Sequence, residues 1–174
     1  VLKRRPDLRS KLQITTKCGI KLICDNRPNH KVKSYDSTKE HIVTSVENSL
    51  KELQIETIDL LLIHRPDYLM NAAEIAATFQ VLKKTGKVNY FGVSNFSASQ
   101  FDLLNGFIPL VTNQVEISLQ QLAAFNDGTL DQCQKYGITP TAWSPLGGGA
   151  IFSESDDPKT QGLKKVLQLI AEKH

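Results

Sequence analysis

The chain has 174 residues, of which 40% are hydrophobic and 22% charged, and its formal net charge is +3, as in an ordinary globular domain. Three cysteines are too few for a disulfide framework, and no basic block favours nucleic-acid binding. The longest apolar run, Leu60 to Ile63, is far shorter than the roughly 20 residues of a membrane-spanning helix. We therefore expect a cytoplasmic protein with reduced thiols and no membrane partner.

Both termini are unusual for a complete domain. The chain begins at Val1 rather than at Met, and Leu2 to Arg9 has the pattern of a helix that runs into a strand. An apolar stripe that includes Leu163 and Ile170 reaches His174 without a capping residue. We expect residues 1–174 to form a single domain that is incomplete at both ends.

Strand and helix patterns alternate from the start of the chain. A strand over Leu12–Thr16 leads to Lys17 and is followed by a polar loop over Asp25–Asp36. Ser37 and Glu40 have the spacing of a capping box and predict the start of a helix. One face of this helix is apolar and carries Ile42, Val43, Val46, Leu50 and Leu53.

The alternation continues after this helix. Ile58–Ile63 is largely apolar without alternation and predicts a strand that is covered on both faces. Asn71 and Glu74 open a helix that ends near Gly86. The remaining elements are a strand over Val88–Val93, a helix capped by Ser97 and Gln100, a strand over Leu110–Val115, a helix from Thr129 and Gln132 to Gly137, a strand over Ile138–Ala142, and a last helix after the loop Trp143–Asp157.

Five strands that alternate with helices indicate an α/β fold with a parallel sheet. The doubly wound nucleotide-binding fold is disfavoured, because no GxGxxG motif follows any strand. The parallel (β/α)₈ TIM barrel remains, and it typically needs roughly 250 residues. We therefore expect about five of the eight βα units of such a barrel in this chain.

Polar side chains follow each predicted strand, where a barrel places its active site. They are Lys17, His64, Ser94 with Asn95, Asn113 with Gln114, and Trp143 with Ser144. A lysine can lower the pKa of a nearby phenol, an imidazole can polarise a carbonyl, and amides can hold a carboxamide. Glycine-rich backbone after a strand can hold phosphate oxygens.

Each of these positions also has a purely structural explanation. A lysine after a strand is often only solvated, and a histidine there often bonds to backbone. Arg65 and Asp67 can pair with each other, and Trp143 can fill the core. Three consecutive glycines can form a hinge. Five polar strand ends in succession nevertheless favour a site over chance.

Together these motifs resemble the aldo-keto reductase family, in its bacterial-type branch, over nearly the whole chain. The most specific pieces are His64-Arg65-Pro66-Asp67 and Gly92-Val93-Ser94-Asn95-Phe96. The full set of matching stretches is Thr16–Gly19, Asp59–Asp67, Gly86–Val88, Gly92–Phe96, Thr112–Glu116 and Trp143–Gly147.

The resemblance implies a role for each matching residue. Lys17 corresponds to the lysine that lowers the pKa of a catalytic tyrosine, and His64 to the histidine that orients the substrate carbonyl. The implied cofactor is NADPH more than NADH, and no metal is implied. Ser94, Asn95 and Gln114 would hold the nicotinamide carboxamide, Trp143 would stack on the nicotinamide ring, and the pyrophosphate would lie along Ser144, Pro145, Leu146, Gly147 and Gly148.

The chain departs from the family in one respect. The family's catalytic tyrosine and aspartate precede the strand that ends at Lys17, and none of the four tyrosines here matches that position. The expected function is an NADP-dependent oxidoreductase that reduces an aldehyde or ketone to an alcohol, with this chain alone inactive. One alternative is a nicotinamide-binding or regulatory relative without catalysis. Another, a metal-dependent hydrolase barrel, would need more carboxylate or histidine ligands at the strand ends.

Overall fold

A computed structural model describes residues 2, 4–25, 27–154 and 157–173. Its centre is a five-stranded parallel sheet, curled into half of a barrel. In their order across the sheet, the strands are β1 (Thr15–Cys18), β4 (Ile58–Ile63), β5 (Val88–Ser94), β6 (Asn113–Glu116) and β7 (Thr141–Trp143). A separate antiparallel hairpin joins β2 (Ile20–Lys21) to β3 (Ser34–Tyr35). The predicted α/β barrel architecture is confirmed.

Five α-helices accompany the strands over the described residues. They are α1 (Lys39–Leu53), α2 (Ala72–Lys84), α3 (Ala98–Asn105), α4 (Thr129–Tyr136) and α5 (Pro158–Ala171), with short 3₁₀ turns at Pro6–Lys11, Ala123–Phe125 and Gly147–Gly149. None of these helices is long and apolar enough to cross a membrane.

The main core lies between the outer face of the sheet and α1 to α3. Phe79 of α2 stacks on Phe91 of β5 with ring centroids 4.1 Å apart. Ile42 and Val46 of α1 are fully buried in the same cluster. These apolar faces follow the helical and strand spacings in the sequence, because every third or fourth helical residue and every second strand residue point the same way.

The inner face of the sheet is much less covered. Leu60, Tyr90 and Val111 line an open cavity of about 340 Å³, and Tyr90 is 57% exposed. In a closed barrel this face is filled by layers of side chains from all the strands. The five described strands therefore leave the interior of the half-barrel open.

Four of the predicted strand or loop boundaries differ from the structure. The predicted loop over Asp25–Asp36 contains β3. The sequence does not indicate this strand, because two residues are too few to produce a periodic pattern. The hairpin is closed at its base by the Asp36 amide, which donates to the Gly19 carbonyl over 3.1 Å, and by a Lys21–Asp36 ion pair. Strands β1, β6 and β7 each begin about three residues later than predicted.

The two predicted capping boxes had different outcomes. Thr38, not Ser37, caps α1, and its hydroxyl accepts the His41 amide at 3.4 Å. Ser37 is buried and hydrogen-bonds elsewhere, so that predicted capping box is wrong. The box formed by Ser97 and Gln100 at the start of α3 is present as predicted.

Candidate active site at the carboxyl edge of the sheet

The strand register brings the predicted residues to one edge. Lys17 pairs with Leu62 across β1 and β4, so His64 follows two positions beyond on the neighbouring strand. Ser94 pairs with Gln114 across β5 and β6, and Trp143 pairs with Glu116 across β6 and β7. These residues therefore lie along one rim, as the parallel register requires. Two predictions need correction: Asn113 and Gln114 begin β6 rather than end it, and Lys17 lies within β1, one residue before its end.

Lys17 and His64 line one cavity of about 330 Å³. The His64 amide donates to the Cys18 carbonyl over 2.8 Å, which holds the residue after β4 against the end of β1. The ring itself has no hydrogen-bond partner among the described residues, so its nitrogens are available. Burial, followed by the charges of Lys17, Arg65 and Lys33, lowers the pKa of His64 and favours the neutral imidazole.

Ser94 and Asn95 form a connected polar pair with the next strand. The Asn95 Nδ2 donates to Ser94 Oγ over 2.8 Å, and Ser94 Oγ donates to the Gln114 carbonyl over 2.9 Å. The Gln114 side chain is half-buried and has no hydrogen-bond partner in the described part of the chain. Donors and acceptors therefore stand side by side here, as recognition of a primary carboxamide requires.

Asn113 behaves differently from its neighbour. Its side chain is fully buried, and Nδ2 donates to the Phe96 carbonyl over 2.8 Å. This contact fastens the segment after β5 to β6, whereas the Asn113 Oδ1 is buried and has no hydrogen-bond partner among the described residues.

Trp143 is half-buried and contacts residues from two other strand ends. Its Nε1 donates to Asn95 Oδ1 over 3.0 Å, and the Arg65 guanidinium carbon lies 5.6 Å from the centroid of its ring. Asn95, Arg65 and Trp143 line a second cavity of about 650 Å³. The walls of the two rim cavities meet at the His64–Arg65 peptide.

The glycine-rich loop after β7 is a compact turn. The Gly147 amide donates to the Ser144 carbonyl over 2.8 Å, and the Gly149 amide donates to the Leu146 carbonyl over 3.1 Å. Ser144 and the three glycines all have positive φ values. Because the loop already uses those two amides, only part of its backbone is free for a phosphate group. Pro145 and Gly148 lie in the same turn.

The alternative explanation, in which Arg65 pairs with Asp67, is not what the structure has. Asp67 accepts the Ser37 hydroxyl over 3.1 Å and the Leu69 amide over 3.0 Å, which tethers the rim segment to the start of α1. Arg65 instead lies over Trp143. Sequence reasoning missed the Ser37–Asp67 and Arg65–Trp143 contacts because the partners are distant along the chain, so no local sequence spacing indicates them.

Two further observations bear on the chemistry of the rim. The described residues contain no group of three or more His, Cys, Asp or Glu side chains that could hold a metal ion. Cys18, Cys24 and Cys133 are free thiols, and burial raises the pKa of Cys18 to about 12, so its thiol is not an available nucleophile.

A family model described as the aldo/keto reductase family matches residues 1–170. The chain belongs to the aldo/keto reductase family. This confirms the resemblance that the strand-end motifs indicated. The half-barrel agrees with the partial barrel fold that this resemblance implied.

Two curated bacterial proteins are similar in sequence to most of this chain. The uncharacterized oxidoreductase YcsN of Bacillus subtilis is 50% identical over 95% of this chain and 55% of its own length. The oxidoreductase YdhF of Escherichia coli is 46% identical over 98% of this chain and 56% of its own length. The chain therefore spans about half the length of the curated relatives it matches.

A solved structure gives the same result for the fold. The glycerol dehydrogenase from Gluconobacter oxydans superposes with a TM-score of 0.76 at 30% identity. The match covers 91% of this chain and 50% of that enzyme. The half-barrel here is thus similar to part of a complete aldo/keto reductase barrel.

Proposed function

We propose that the protein containing this chain is an NADP-dependent oxidoreductase that reduces an aldehyde or ketone to an alcohol. The observation that carries the proposal is the joint placement of Lys17, His64 and the Ser94–Asn95–Gln114 group on one rim of the half-barrel. Its substrate is a small-molecule carbonyl compound, and we propose a cytoplasmic location, in keeping with the three free thiols.

The residues present fit the nicotinamide end of such a cofactor. Asn95 offers a side-chain carbonyl oxygen and an amide hydrogen, and the buried Ser94 hydroxyl holds that amide in place. The Gln114 side-chain amide is unpartnered among the described residues. A carboxamide needs both donors and acceptors, so Ser94, Asn95 and Gln114 would hold it. Trp143 would pack against the ring, and residues 144–148 would lie beside the phosphates.

When bound, NADPH supplies the hydride for the carbonyl carbon. The protein's own part is to bind the carbonyl oxygen and to stabilise the charge that develops there. His64, held neutral by burial and neighbouring cations, donates a hydrogen bond to that oxygen. The Lys17 ammonium favours the ionised form of a phenol beside it, which in the family belongs to a tyrosine that none of the four tyrosines here matches.

The proposal is tested with the full-length protein. NADPH-dependent reduction of an aromatic aldehyde is followed by cofactor absorbance for the wild type and for Lys17→Ala. We expect the variant to lose at least roughly 10²-fold in kcat, the lower range for acid–base catalysis. Lys83→Ala, which removes a cation from the end of α2, is the matched control and should retain full activity.

The outcomes separate the candidate functions. A Lys17→Ala variant as fast as the wild type would refute the assigned role. NADPH binding without turnover of any carbonyl would favour the alternative of a nicotinamide-binding, regulatory relative. Comparison of kcat/KM with NADPH and with NADH tests the proposed preference for NADP.

A further inference from the structure

Arg65 is a half-buried cation with an unusual partner. It forms no ion pair and no hydrogen bond among the described residues, and its guanidinium lies 5.6 Å from the centroid of the Trp143 ring. This distance is within the range of a cation–π interaction, which is stronger where water is partly excluded. Arg65 follows His64 directly, so the contact links the carbonyl-binding part of the rim to the last strand of the sheet.

Trp143 passes this restraint to the amide pair. The indole Nε1 can only donate, and it donates to Asn95 Oδ1 over 3.0 Å. The other end of the same amide, Nδ2, donates to Ser94 Oγ, which in turn donates to the Gln114 carbonyl. Each donor in this series faces an acceptor, and rotating the Asn95 amide by half a turn would set its N–H groups against the indole N–H.

The orientation of the Asn95 side-chain amide decides which of its groups remain free. Asn95 has a φ of +59°, a left-handed conformation that asparagine tolerates better than most residues. After the two contacts are made, Oδ1 retains one lone pair and Nδ2 retains one hydrogen. Those are the two groups that an incoming carboxamide needs, and their direction depends on the position of the Trp143 ring.

We propose that Arg65 is a positioning residue, which holds the Trp143 indole over the rim and thereby fixes the orientation of the Asn95 amide for nicotinamide recognition. This inference rests on the proposed function, because it assigns the Ser94–Asn95 pair to the cofactor. Arg65 acts through Trp143 and does not need to touch the cofactor itself.

The test measures dissociation constants for NADPH and for 2′,5′-ADP, which lacks the nicotinamide, on the full-length protein. Arg65→Met keeps the aliphatic stem and removes the charge. We expect it to weaken NADPH binding by roughly tenfold, from the strength of a partly buried cation–π contact, and to leave 2′,5′-ADP binding unchanged. Arg65→Lys should recover part of the loss. Lys83→Met removes a similar cation 5.9 Å from the Tyr90 ring and should change neither constant.

A double-mutant cycle tests the route through Trp143. Trp143→Phe removes the indole donor, and Arg65→Met in that background should add less than half of its effect in the wild type, because both changes disturb one arrangement. Fully additive losses, an equal loss of NADPH and 2′,5′-ADP binding, or wild-type NADPH affinity in Arg65→Met would each overturn the inference. Failure of the wild type itself to bind NADPH would overturn the proposed function and the inference with it.

Discussion

His64 is the residue whose chemistry depends most on its neighbours. Because burial and then the charge of Lys17 lower its pKa, Lys17→Met should raise that pKa toward its ordinary value without restoring it fully. The ring Cε1–H resonance of His64, followed by NMR as a function of pH in the full-length protein, measures the change. Lys83→Met is the control and should leave the titration in place.

The same shift has a consequence for stability. An unfolded histidine titrates at roughly pH 6.5, and folded His64 titrates lower, so the unfolded state takes up this proton first. The contribution of neutral His64 is therefore complete above roughly pH 6.5 and is lost as the pH falls through the folded-state pKa. A titration at or above the unfolded value would contradict this account.

At the residue scale, sequence alone could predict side chains but not their contacts. Lys17, His64 and Ser94 are identifiable because each lies within one residue of the end of a strand, and the register of a parallel sheet brings strand ends together. The contact of Arg65 with Trp143 depends on how two rim segments pack, and nothing in the local spacing of either segment indicates it.

The N-cap of helix α1 can be tested by comparing a substitution at Thr38 with the same substitution inside the helix. Thr38→Ala removes the side chain that accepts the His41 amide and should lower the free energy of unfolding by about 1 kcal/mol. Thr44→Ala is the same change at an exposed position within the helix and should stay within about 0.5 kcal/mol of the wild type. Urea denaturation measures both, and equal effects would argue against the cap.

The strand β5 contains a glycine that its neighbours require. A Cβ at Gly92 would lie 2.8 Å from Leu62 Cδ2 and 2.8 Å from the Thr112 carbonyl oxygen. Because a backbone oxygen cannot move cheaply, Gly92→Ala should destabilise the protein by about 1–3 kcal/mol and weaken NADPH binding at the adjoining rim. In α5, an alanine at Gly162 would meet nothing within 4 Å and should be neutral or stabilising. Thermal unfolding of both variants distinguishes the two sites.

At the element scale, the length of a pattern decided how well it could be predicted. The apolar run of β4 and the helix cap at Asn71 are found where the sequence indicated. The sequence does not reveal the β2–β3 hairpin because each strand has two residues. It misplaces the start of α1 because Ser37 and Thr38 are both acceptable caps by type. Contacts outside the helix separate them: Ser37 donates to Asp67, and the Thr38 hydroxyl donates to Asp36.

The molecule as a whole exposes the inner face of its sheet. Tyr90 is 57% and Val111 38% exposed, and within the described residues β1 and β7 each pair along one edge only. Open edges and apolar faces favour association. The isolated 174-residue chain should therefore increase in mass with concentration in sedimentation measurements, and Tyr90→Lys should reduce that increase. A monodisperse monomer that reduces carbonyls would contradict the prediction.

At this scale the fold was predictable because five strands alternate with helices, and parallel order follows from that alternation. The curved sheet and its exposed inner face follow from the same prediction, because five of the eight strands of a TIM barrel cannot close it.

The β2–β3 hairpin beside Lys17 allows the pocket wall to change without moving the Lys17 ammonium group. The β2–β3 pairing, the Asp36 amide and the Lys21–Asp36 ion pair close the base of the intervening loop, so the chain leaves and returns at fixed points. Lengthening a loop with fixed ends costs little free energy. Insertions and deletions between the two strands can accordingly diversify the pocket wall during evolution while the ammonium group at the end of β1 keeps its place.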